Sequence, residues 1–93
     1  MRTASEASIV RSILRYLNSL DGCRAIKTHG GPLRGGEPDI YAVKDGQFYA
    51  FEVKRPGGKP TKLQAATLDQ WRAAGAVTAV VTSVDEVKEV LGE

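Results

Sequence analysis

The chain opens on a helical rhythm. Ile9, Val10, Ile13, Leu14, Leu17 and Leu20 recur at steps of three and four, which lines one face of an α-helix. Thr3-Ala4-Ser5-Glu6 reads as a capping box at its start and Asp21-Gly22 as its stop. Cys23 to His29 follows as a short, weakly patterned strand suited to a sheet edge. Gly30-Gly31-Pro32-Leu33-Arg34-Gly35-Gly36 is too glycine-rich for regular structure and predicts a mobile loop. The runs 39–44 and 47–54 are rich in aromatic and β-branched residues and are separated by Asp45-Gly46. Asp-Gly between two such runs predicts a hairpin, because a type I′ turn needs positive φ at both central residues. After a loop over 55–60, Thr61-Lys62-Leu63-Gln64 is a second capping box, opening a helix through Ala74 that Gly75 ends. Ala76 to Thr82 reads as an apolar strand of the kind buried on both faces. Ser83-Val84-Asp85-Glu86 is a third box, heading a short helix to Leu91. The predicted order is α-β-β-β-α-β-α, an α/β class with a small mixed sheet flanked by helices. Its second helix is the right-handed crossover between two parallel strands.

Composition narrows the picture. The 93 residues leave room for one small domain over 1–93. Apolar residues at 42% and charged residues at 26% fit a globular chain rather than a disordered one. No apolar stretch approaches the ~18 residues of a membrane span, and the first residues lack a signal core, so a cytoplasmic address is expected. A lone Cys23 and a lone His29 exclude an internal disulfide and a zinc cage. Cys23 reads as a buried small hydrophobe, and Tyr16 and Trp71 as core residues. The net charge of +2 is mild, but residues 24–62 carry eight basic and four acidic side chains. That distribution suits a polyanion-facing surface around an acidic pocket; a solvated mixed-charge surface is the alternative.

The hairpin places candidate chemistry. With Asp45-Gly46 as the loop, Lys44 pairs with Gln47, and counting outward sets Asp39 directly opposite Glu52. The two carboxylates then share a sheet face with Cβ atoms roughly 4.5–5.5 Å apart, and alternation adds Lys54 to that face. Like charges in such a position are destabilising, which a hard divalent cation such as Mg²⁺ resolves, since it takes one or two carboxylates and keeps its waters. The bland alternative is a solvent-facing polar pair beside an unrelated lysine. Carboxylates on either side of Lys54 favour its charged form. Its expected task is therefore to hold an attacking water and offset transition-state charge rather than to act as a base.

Pro38-Asp39, twelve residues, then Glu52-Val53-Lys54 resembles the PD-(D/E)XK nuclease signature. More closely, Gly36-Glu37-Pro38-Asp39, Glu52-Val53-Lys54, Gln64 and Gly75 before a valine-rich strand resemble the virus-type replication-repair nuclease (VRR-NUC) family, over Glu6 to Ser83. The resemblance implies a restriction-endonuclease-like core and a divalent-metal-dependent, structure-selective DNA endonuclease, with Mn²⁺ substituting for Mg²⁺. It adds the Val53 backbone carbonyl to Asp39 and Glu52 as an inner metal ligand. It also implies that Glu6 reaches the metal pocket, directly or through water. Glu6 heads the apolar stripe of the first helix, a place that a purely solvated capping residue would not need. Gln64 shares a face with Leu68 and Trp71; the resemblance sets it beside Lys54, and capping is its competing role.

Lys27, His29, Arg34, Arg55, Lys59 and Lys62 flank the two glycine-rich loops as candidate phosphate contacts. A chain this short has no spare element to read bases in a groove. Selectivity is thus expected from DNA shape, with a homodimer on a branched substrate such as a four-way junction. The first helix and the C-terminal helix are the candidate dimer surfaces. A catalytically silent DNA-binding or assembly module of the same fold, or a monomeric flap-type nuclease, is the alternative. No membrane association and no nucleotide cofactor are expected.

Overall fold

In a computed structural model that describes residues 4–28 and 35–93, seven elements follow the predicted order. They are α1 (Glu6–Asn18), β1 (Cys23–Lys27), β2 (Ile40–Lys44), β3 (Gln47–Val53), α2 (Lys62–Ala73), β4 (Val77–Val81) and α3 (Val84–Leu91). The four strands form one sheet in the order β1-β2-β3-β4; β1, β2 and β3 are antiparallel neighbours, and β4 joins β3 in parallel through α2. Asp45 (φ 50°) and Gly46 (φ 84°) both take positive φ, as the type I′ turn demands. The β2–β3 register is the one the turn dictates, with Lys44 opposite Gln47 and Ile40 opposite Phe51.

Alternation divides the sheet into two faces. Ala25, Ile40, Ala42, Phe51, Val53 and Val81 point one way, onto Ile9, Val10, Ile13 and Leu17 of α1 and Val87 of α3. At roughly 1.5–3 kcal/mol per large side chain fully buried, this layer supplies most of the hydrophobic stabilisation. The other face carries Arg24, Ile26, Tyr41, Val43, Phe48, Ala50 and Glu52. There α2 covers the β3–β4 half through buried Leu68 and half-buried Trp71. The indole packs 5.2 Å from the Tyr41 ring and 5.3 Å from that of Phe48, centroid to centroid. On the bare half Ile26 and Val43 stay exposed.

Three expectations are corrected. The cap of α1 is Ser5, whose hydroxyl accepts from Ser8 N at 3.1 Å, so Glu6 is the first helical residue and not the fourth member of a box. Strand β4 is a sheet edge rather than doubly buried: Val77 and Val80 are exposed, and of its five residues only Val81 is buried. In the third box Ser83 Oγ does accept from Glu86 N, but the Glu86 carboxylate reaches one residue further back, accepting from both the N–H and the hydroxyl of Thr82. The Thr61/Gln64 box forms as expected. Cys23 is half-buried, and burial raises its thiol pKa. Tyr16 packs against the core beneath Lys88, 5.3 Å from its ring. On the open edge of β1, Asn18 accepts from Ala25 N (2.8 Å) and donates to Ala25 O (3.0 Å), blunting the strand against further pairing. Among the described residues no helix is long and apolar enough to cross a membrane.

Candidate metal-dependent active site

The site lies where β2 and β3 part, on the sheet face that α2 shares. Because the pair flanking a two-residue hairpin loop is hydrogen-bonded and pairs then alternate, Asp39 and Glu52 fall at a non-hydrogen-bonded position, where facing side chains come closest. Glu52 is 2% exposed. Burial first, and then the Asp39 carboxylate beside it, raise its pKa from 4.5 to about 8, against the opposing influence of Lys54. The Lys54 ammonium stands 3.5 Å from Glu52 Oε2, and Glu52 Oε1 is buried with no hydrogen-bond partner. The expected trio is therefore brought together.

Backbone hydrogen bonds hold Asp39 in place. Its carbonyl accepts from Thr28 N at 2.9 Å, and its Oδ2 accepts from Val53 N at 2.8 Å. The preceding turn is pinned by a residue the sequence reading did not single out. Glu37 Oε2 accepts from the Tyr41 hydroxyl (2.6 Å) and from Trp71 Nε1 (3.2 Å), tying the Gly36-Glu37-Pro38-Asp39 segment to both β2 and α2. Gly36 permits that approach: its φ is 95°, and a Cβ there would lie 2.6 Å from Leu63 Cγ.

The donor set fits a hard divalent cation. A buried carboxylate oxygen without a partner is a costly arrangement on its own, and a cation would satisfy it. Among the described residues no group of three or more His, Cys, Asp and Glu side chains could hold a metal. Two carboxylates, supplemented by backbone oxygen and water, match the way Mg²⁺ is bound.

No family model matches the sequence, and no curated protein does. Solved structures do match. A VRR_NUC domain superposes with a TM-score of 0.79 at 24% identity, covering 97% of this chain and 98% of that one. The chain has the VRR_NUC fold. A second VRR_NUC domain protein gives a TM-score of 0.73 at 15% identity over 98% of this chain and 88% of its own. Hjc of Archaeoglobus fulgidus, a Holliday junction resolvase from an archaeal hyperthermophile, gives 0.66 at 24% identity over 83% of this chain and 67% of its own.

Within this VRR_NUC fold the remaining candidates sit further out. Glu6 begins α1, which packs on the opposite sheet face, and its side chain is exposed; no hydrogen bond or ion pair among the described residues links it to the trio. The stripe it was expected to head is buried only from Ile9 onward. Gln64 is half-buried, and its Oε1 accepts from Thr61 N at 2.9 Å, so its amide oxygen serves the helix cap. Lys27 ends β1, Lys62 starts α2, and Arg55 and Lys59 lie in the loop between β3 and α2, all four exposed. His29 and Arg34 lie outside the described residues.

Proposed function

We propose that the protein is a divalent-metal-dependent DNA endonuclease that hydrolyses phosphodiester bonds of branched DNA such as a four-way junction. The observation that carries this reading is the pairing of half-buried Asp39 with buried Glu52, whose Oε1 is unpartnered and whose other oxygen lies 3.5 Å from the Lys54 ammonium. Asp39, Glu52 and the Val53 carbonyl would hold Mg²⁺, for which Mn²⁺ would substitute. Glu6, exposed at the start of α1, would have to reach this set through water, and Gln64 would border it only by giving up its cap contact with Thr61. When bound, the cation supplies an acidified water and polarises the phosphate. Lys54 orients that water and offsets the negative charge that grows on the phosphoryl oxygens as the P–O bond to the leaving group breaks. Exposed Lys27, Arg55, Lys59 and Lys62, with His29 and Arg34, would contact phosphates.

Two features support a homodimer with one site per protomer. The fold is similar to that of Hjc, a Holliday junction resolvase. The apolar faces of α1 and α3 are spent on the core, whereas Ile26 and Val43 remain exposed on the sheet, which favours the sheet face over either helix as the dimer surface. The test is cleavage of labelled four-way junction, flap and linear duplex in Mg²⁺, Mn²⁺ or EDTA, with light scattering across a dilution series. Preferential, EDTA-sensitive cutting of the junction by a dimer is expected. No cleavage in either metal would refute the nuclease reading, and a monomer that cuts linear duplex as fast as junction would refute its selectivity.

A further inference from the structure

Pro38 sits at a ladder position that should belong to β2 and β3. Extending the observed register one step past Asp39/Glu52 puts residue 38 opposite Val53. That pair falls in the hydrogen-bonded phase of the ladder, where residue 38 would donate its N–H to the Val53 carbonyl and accept from the Val53 N–H. Three observations show neither bond. Proline has no N–H to give. The Pro38 carbonyl accepts from Thr28 Oγ1 at 2.6 Å. The Val53 N–H donates to Asp39 Oδ2 at 2.8 Å instead. The next residue agrees with the phase, since Lys54 N donates across to Val81 O at 3.0 Å, so that Val53 presents both its backbone groups to the β2 side. Among the described residues no donor reaches the Val53 carbonyl.

Building on the metal-site reading above, we infer that Pro38 is a positioning residue that keeps the Val53 carbonyl unpaired, and so available as an oxygen ligand beside Asp39 and Glu52. Any other residue at 38 would bring an N–H to the same carbonyl. A carbonyl already accepting a backbone hydrogen bond is a poorer ligand, and its neighbour would be drawn back into the ladder, displacing Asp39 Oδ2 from Val53 N. Pro38 is fully buried, and it is held by the Thr28 hydroxyl rather than by the sheet, so its role is defined by the bond it withholds.

Pro38→Ala restores the donor at the cost of two buried ring carbons, so its fold is checked alongside its metal binding. Mn²⁺ and Mg²⁺ binding by calorimetry, without DNA, should weaken at least tenfold, and the backbone amide that the substitution creates at position 38 should be protected from hydrogen exchange. Carbonyl NMR of the wild-type protein gives a reading that needs no variant: the Val53 ¹³C′ resonance should move on addition of Mg²⁺. Pro38→Ala protein that folds and binds Mn²⁺ as tightly as wild type, or a Val53 carbonyl unmoved while the Glu52 carboxyl responds, would overturn this inference alone. Wild-type protein that binds no divalent cation would remove the metal-site reading and this inference with it.

Discussion

Glu52 should make the metal-free protein less stable as pH rises. Burial and the neighbouring Asp39 lift its pKa from 4.5 to about 8. Between those values the folded state therefore holds a proton that the unfolded chain has released. Stability depends on pH as the difference in bound protons, unfolded minus folded; that difference is negative here, so stability falls as pH climbs from about 4.5 to about 8. The slope for one group is about 1.4 kcal/mol per pH unit, which sets a ceiling of roughly 4 kcal/mol between pH 5 and pH 8. Water entry and movement of Lys54 reduce it, and we expect about 2 kcal/mol. Glu52→Gln is a neutral isostere that cannot titrate. Urea melts of both proteins in EDTA should thus show the variant gaining on wild type by about 1–2 M in midpoint as pH goes from 5 to 8, for a slope of about 1 kcal/mol/M. Mg²⁺ prefers the ionised carboxylate, so it should raise wild-type stability more at pH 8 than at pH 5. A wild-type-minus-variant difference that stays flat over this range would refute the reasoning.

Other expectations follow from the same contacts. Glu37→Leu leaves the Tyr41 hydroxyl and Trp71 Nε1 without this acceptor and should cost about 1–3 kcal/mol by chemical denaturation, whereas Glu37→Gln, which keeps an acceptor oxygen, should recover most of it; equal losses would show that the charge matters rather than the bonds. Glu6→Gln should lower cleavage at least tenfold with little change in melting temperature, and full activity would confine Glu6 to the helix start. Hydrogen bonds from Thr82 hold the Glu86 carboxyl below its usual range; its contribution is therefore present above the unfolded value and lost as pH falls through the lowered folded one, and Glu86→Gln should narrow the loss of stability toward acid.

The hairpin was legible because turn chemistry fixes register. Asp45-Gly46 sets Lys44 against Gln47, and from that one pair the apposition of Asp39 and Glu52 follows. Strand β4 was misread because a short apolar run looks alike whether doubly buried or at an edge; at the edge Val80 stays exposed on the α2 face and Val77 on the face that α1 and α3 cover. Glu6 was expected inward because it falls on the right angle of the helical wheel, but at the first turn that angle points past the end of the core. Glu37 escaped notice for another reason. Its partner Trp71 is 34 residues away, and no local pattern couples the two. The available signal was the full Gly36-Glu37-Pro38-Asp39 string, in which the glycine marks a close approach and the proline a missing donor.

Asp39→Asn tests the central claim most directly. The substitution keeps an acceptor oxygen near Val53 N and removes one negative charge from the pair. Cleavage of a labelled four-way junction in Mg²⁺ should drop by at least a hundredfold while the melting temperature stays within a few degrees of wild type. Cleavage at the wild-type rate by well-folded Asp39→Asn protein would contradict the assignment of this carboxylate pair as the metal-dependent active site.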